Sequence, residues 1–277
     1  MNDFNQYNVK VEQQPISDPS FDEAAKERKA CIISVIVYIA ILFVLASFIA
    51  YAIGVALCKQ YKLDLFTFME CLAATDFTPY DPVYLRVSAL CQGWANLLAY
   101  LICAVIICIV GYKIFVNDFK RILEKPLKFL GYVAITGIGF LVITTLVSIL
   151  FGFFIEDSTN QDTIEMIIGN GGAPTMIISV VLLAPIVEEF VYRKAIFNFM
   201  KKYGPVACYA ISIILFTLPH MISTDASNIL NWLLTCIPYA FSGFLLCLIY
   251  HKSNENIYAS IAVHMLNNIL ACILMFV

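Results

Sequence analysis

Charge is scarce in this chain. Asp, Glu, Lys and Arg make up 13% of its 277 residues, while 61% are hydrophobic. A soluble domain of that composition has too little polar surface to cover itself, so a bilayer is the solvent for most of the chain. A basic field is missing too. The net charge of −3 leaves nothing to collect phosphates, which excludes nucleic acid as a partner. Metal-site spacing is absent: ten cysteines and three histidines include no CxxC pair, no HExxH and no Cys/His cluster. The cysteines fall mostly in apolar runs, where cysteine packs as a small hydrophobe, and they imply no disulfide framework. Cys71 and Cys91, flanking an expected outward loop, are the exceptions this reading leaves open.

Long apolar runs are what the chain has. A span needs roughly 20 residues, and seven runs qualify, at about 31–58, 86–112, 127–153, 174–199, 206–226, 229–250 and 257–277. The expectation is an all-α polytopic helix bundle of about seven (six to eight) transmembrane helices. Residues 1–30 form a polar, disordered tail too long for a signal-peptide n-region, and residues 31–277 form one membrane domain. Leu63 to Tyr84 is less apolar and contains Pro79 and Pro82, which suits an outward interfacial segment. Asp157 to Pro174, with Gly169, Gly171 and Gly172, reads as a flexible polar loop.

Positive charge orients the bundle. Lys26, Arg28 and Lys29 precede the first span, and Lys113, Lys120, Arg121, Lys125 and Lys128 follow the second. Lys201, Lys202 and Lys252 occupy the later loops of the same parity, whereas residues 154–173 carry only acidic charge. Positive residues stay inside, so the N-terminus is expected in the cytoplasm and the C-terminus outside, in the plasma membrane.

The chemistry lies in the C-terminal half, where ionisable residues stand inside apolar runs and are functional candidates by default. The fourth run reads LLAPIVEEFVYRKAIF. Glu189 and Arg193 are i, i+4 neighbours that neutralise each other, leaving Glu188 about 100° around the helix as the free acid. The fifth run contains FTLPH, which puts Phe216 and His220 on one helical face, and the last contains HMLNN, which does the same for His264 and Asn268. At 1.5 Å per residue, Glu188 and His220 lie roughly 20 Å, and His264 about 15 Å, from the cytoplasmic ends of their spans. Those depths are compatible with one shared cavity. A carboxylate, two imidazoles and an amide are the groups needed to activate water and to meet a developing oxyanion.

EEFVYR, FTLPH and HMLNN, in this order in successive apolar helices, resemble the three motifs of the CAAX-protease and bacteriocin-processing family of intramembrane endopeptidases. The likeness covers a core at about 174–277. It implies that Glu188 activates water with His220 assisting, that His264 and Asn268 support the oxyanion, and that Glu189, Arg193 and Phe216 hold the geometry. The substrate implied is a lipidated protein or a peptide tail reached from the membrane or its cytoplasmic side. Members resemble either glutamate or metallo enzymes, and Zn²⁺, if bound, would sit on Glu188, His220 and His264.

Blander readings stand beside this one. Glu189 and Arg193 can be a structural ion pair, His220 can satisfy a carbonyl freed by Pro219, and Asn268 can glue helices together. A proton-coupled transporter would use the same ionisable residues, but it predicts repeat symmetry that the sequence lacks. A non-catalytic immunity or scaffold protein would keep the site and bind a peptide.

Overall fold

In a computed structural model, the described residues are 19–74, 76–152, 159–222, 224 and 228–276, and they form helices without a strand. The first helix, α1 (residues 19–61), contains one π-helical stretch at Ile41–Leu45 and ends at Lys62, whose φ of 58° is left-handed. Residues 19–30, expected to belong to a disordered tail, are thus helical, and the rest of that tail lies outside the described residues. Next comes α2 (Leu65–Ala73), capped by Asp64, whose carboxylate accepts from the backbone N–H and hydroxyl of Thr67 at 2.8 and 2.9 Å. Those bonds hold the Asp64 carboxyl below its usual range. At nine residues, about 14 Å, α2 is too short to span, as expected for an interfacial segment.

The remaining helices are α3 (Pro82–Val110), α4 (Tyr112–Glu124), α5 (Pro126–Gly152), α6 (Thr159–Ile167), α7 (residues 173–200), α8 (Pro205–His220), α9 (Ile229–Lys252) and α10 (Ile257–Leu274). Proline opens α3, α5 and α8, where its missing N–H costs nothing. Asp81, Asn228 and Asn256 cap α3, α9 and α10. The polar stretch expected as a loop before α7 contains α6. Its glycines end that helix, because Gly171 at φ 99° breaks the backbone between α6 and α7. Part of the expected loop, residues 157 and 158, lies outside the described residues.

Among the described residues, six stretches are long and apolar enough to cross a membrane: Glu23–Tyr61, Pro82–Val110, Pro126–Gly152, Gln161–Tyr203, Ile229–Lys252 and Ile257–Leu274. A seventh apolar helix, α8, is shorter. The run expected to continue to residue 226 turns at Met221, one helical position after His220, with Pro219 in its last turn. All ten cysteines are free thiols, and Cys71 and Cys91 are buried.

The central helix is α7, buried on nearly every side from Leu183 to Phe197, with α1, α3, α8 and α10 around it. Two π-helical stretches, Ser179–Leu183 and Phe190–Phe197, flank its acidic pair. Such insertions shift carbonyls out of the regular ladder and re-aim side chains. Small residues let α3 come close: a Cβ on Gly93 would collide with the Thr175 hydroxyl and stand 3.3 Å from the Gly172 carbonyl. A Cβ on Gly172 would stand 2.8 Å from the Ala89 carbonyl. Close backbones gain dispersion contacts that lipid cannot supply to separated helices.

That crossing sets the distance between α3 and the acidic pair. Gly93→Leu is expected to lower stability by about 1–3 kcal/mol through overpacking, whereas Gly131→Ala, where a Cβ meets nothing within 4 Å, leaves it unchanged or slightly raised. Thermal unfolding of the two detergent-purified variants reads the difference.

Candidate active site

Two adjacent carboxylates on α7 have opposite surroundings. Glu189 is fully buried. Its Oε2 stands 3.2 Å from Arg193 Nε one turn along, and its Oε1 accepts from His264 Nδ1 at 3.0 Å. A lone buried charge would cost several kcal/mol, so the guanidinium and imidazole are conditions for this carboxylate being there. The Arg193–Glu189 approach is an ion pair with poor hydrogen-bond alignment, and Arg193 makes its one direct hydrogen bond among the described residues to the Gly243 carbonyl at 3.2 Å. The guanidinium also lies over Phe216, 4.4 Å from the ring centroid. Gly243 permits this, since a Cβ there would press to 3.0 Å on Phe216.

Glu188, rotated by about 100°, faces a cavity of about 880 Å³. Its Oε1 accepts from the Tyr100 hydroxyl of α3 at 2.9 Å. Phe216, His220, His264 and Asn268 line the same cavity, so the structure brings together five of the seven expected residues there. Glu189 and Arg193 lie behind it, as their expected pairing requires.

His220 Nδ1 is 2.9 Å from the Phe216 carbonyl. A carbonyl only accepts, so Nδ1 carries the hydrogen, and in the neutral ring Nε2 keeps a lone pair. The carbonyl that Pro219 leaves without its usual helical donor is that of Leu215, four residues earlier, so His220 is not repairing the proline break. The ring lies between Phe216 and Tyr239, with centroids 5.0 and 4.7 Å away.

His264 donates from Nδ1 to Glu189, so it can donate from Nε2 to another group only when both nitrogens are protonated. Asn268 donates from Nδ2 to the Val180 carbonyl at 2.7 Å, within the first π-helical stretch of α7. It therefore does glue α10 to α7. The second hydrogen of its amide remains able to donate into the cavity.

Tyr100 and Tyr239 are functional candidates that sequence reasoning missed, because tyrosine inside an apolar run looks like ordinary core. A signal did exist on α3, where Asn96 and Tyr100 put two polar tips at i, i+4 on one face of an apolar helix. Among the described residues no three His, Cys, Asp or Glu side chains are grouped so as to hold a metal ion. Glu188, His220 and His264 share the cavity without forming such a group.

Arg193→Ala is expected to destabilise the protein by about 3–5 kcal/mol, because it leaves Glu189 buried without its guanidinium counter-charge. Glu189→Gln with Arg193→Met in one chain is expected to recover much of that loss. Thermal unfolding of the single and double variants checks this; equal losses would separate stability from the pair.

Residues 170–270 match the sequence model of a family described as type II CAAX prenyl endopeptidase Rce1-like. No curated protein and no solved structure gave a match. The matched segment runs from the kink before α7 through most of α10 and contains all three motif helices together with the Glu189–Arg193 pair. It begins close to the start expected for the core and stops short of the C-terminus. Over residues 170–270 this chain is therefore similar to the Rce1-like type II CAAX prenyl endopeptidases.

Proposed function

We propose that this chain is an intramembrane endopeptidase in which Glu188 activates the water that attacks a peptide bond. The observation that carries the proposal is the shared cavity: Glu188 and the Nε2 edge of His220 face one space, while the neighbouring acid is neutralised behind them. Tyr100 occupies Oε1 of Glu188, which leaves Oε2 to accept a proton from water. As that water adds to the scissile carbonyl, the carbonyl oxygen becomes an oxyanion. The amide of Asn268 and a doubly protonated His264 donate to it. The proton taken by Glu188 then goes to the leaving nitrogen as the carbon–nitrogen bond breaks. His220, stacked in place with its Nε2 lone pair, holds the water's second hydrogen and fixes the direction of attack.

The substrate in this reading is a peptide tail or membrane-associated protein, lipidated or plain, and the enzyme is embedded in the lipid of the plasma membrane with its N-terminus in the cytoplasm. The basic helix ends support that orientation. No step passes through a metal. The residues that would have to hold Zn²⁺ do not form a three-ligand group, and the carboxylate and imidazole supply the acid–base chemistry themselves.

Glu188→Gln keeps the Tyr100 contact but removes the base, so cleavage of a peptide panel by the detergent-purified protein is expected to fall about 10²–10⁴-fold with unfolding temperature unchanged. His220→Ala is expected to lose activity in the lower part of that range. Full activity in Glu188→Gln would overturn the assignment. A strong chelator is expected to leave wild-type cleavage intact, and loss of activity that Zn²⁺ restores would require a metal mechanism instead.

A further inference from the structure

The cavity in front of Glu188 has a direction. The cavity's lining runs along α5 from Phe140 to Gly152, along α7 from Met176 to Glu188, to Phe216 and His220 of α8 and along α10 from His264 to Leu274, with Thr235 to Leu246 from the middle of α9 and Asn96 and Tyr100 from the middle of α3. On α5, α7, α8 and α10 this is mainly the half remote from the basic rim, and Gln161 to Ile164 of α6 lie at the far end. The rim itself is made by α4, the start of α5, the end of α7 and the turn between α9 and α10, with Lys120, Lys128, Lys201 and Lys252. Between Glu188 and the rim, α7 is packed solid: Phe190, Val191, Tyr192, Arg193, Ala195 and Phe197 are all buried. A separate cavity of about 650 Å³ at the rim, bounded by Arg28, Cys31 and Lys194, includes neither Glu188 nor His220.

Toward the far end the walls are largely apolar, with Ile149, Ile164, Leu270 and Leu274, and carry a few polar groups. Thr145 and Ser148 stand exposed on α5, Asn267 lies on α10, and Gln161 of α6 lies at the mouth; no Lys or Arg is among the lining residues. From His264 to Met275 the cavity follows α10 for about 16 Å, which matches an extended peptide of about five residues. Its volume lies within the usual range of ligand sites.

We infer that the site takes its substrate from the side opposite the basic rim, as an extended peptide segment of about five residues that threads past Ser148 and Asn267 to Glu188. Positive residues mark the cytoplasmic side, so the scissile bond arrives from the extracytoplasmic side. This is the reverse of the cytoplasmic approach expected from sequence, and it rests on the endopeptidase reading for the word substrate, though not for the direction of the opening.

The test labels Ser148→Cys in the full-length protein, in a background with Cys108, Cys236 and Cys272 changed to Ala, using a membrane-impermeant cationic methanethiosulfonate. Right-side-out and inside-out membrane vesicles are compared, with Lys120→Cys as the reference for the basic side. Ser148→Cys is expected to react at least about ten-fold faster in right-side-out vesicles, with Lys120→Cys showing the opposite preference. Reaction at Ser148→Cys that is as fast in inside-out vesicles, or absent in both, overturns the inference. Bulky modification of Ser148→Cys is expected to slow cleavage of a peptide presented on the extracytoplasmic side by at least ten-fold. If the label enters as expected but no peptide is cut by wild type, the endopeptidase reading fails while the direction of the cavity holds. If peptides are cut with Glu188 dependence but the label enters only from the basic side, the enzyme stands and the route is wrong.

Discussion

Everything near the centre of this bundle answers to one buried carboxylate. Glu189 cannot be stable there as an isolated charge, so its neighbours are constrained. Arg193 must stand one turn along α7, and the guanidinium then needs the Gly243 carbonyl of α9 and the face of Phe216 on α8. The other carboxylate oxygen recruits His264 of α10. Four helices are therefore tied at one level by a single ionised group, and in a bilayer, where apolar packing against lipid barely discriminates one helix register from another, such ties fix depth and rotation.

The same constraint explains how two consecutive glutamates acquire different surroundings. The step of about 100° between neighbours on a helix turns Glu188 out of the ion pair and into open space. Its one direct protein partner among the described residues is a phenol, which donates a hydrogen bond without supplying a full opposite charge. Glu188 therefore stands outside the ion pair on which the fold depends. Helical geometry alone thus places one carboxylate in the ion pair and its neighbour at the cavity.

The motif helices were legible in sequence because ionisable residues in apolar runs are conspicuous, and i, i+4 spacing says which of them share a face. Glu189 with Arg193 needed nothing more. His264 was legible as a member of the site, but not as the partner of Glu189, because that contact joins residues 75 positions apart. Tyr100 was invisible for the same reason and because it is aromatic among aromatics. The helix α6 was hidden by the glycines that follow it: Gly171 announces a break, and the break lies at the end of the helix and not throughout the segment. The cavity depends on how α3, α5, α7, α8, α9 and α10 pack around one space, a property that no single run encodes.

The register of α10 has its own anchor far from the cavity. The helix starts at the basic rim, where the buried Asp118 of α4 accepts from the backbone N–H of Ile257 at 2.9 Å. Asn256 donates to the Asp118 carbonyl, and Arg121 reaches the carbonyl of Asn254 at 2.8 Å. Asn254 and Glu255 both have left-handed backbones, at φ 57° and 59°, a conformation that L residues adopt only when their surroundings hold them in it. Arg121 and the Lys201–Glu255 pair provide that hold. Each residue of slip along α10 would shift His264 by about 1.5 Å and swing it about 100°. An acid on a peripheral amphipathic helix thus sets the entry point of α10, and the Glu189 contact two turns deeper can form only from that starting register.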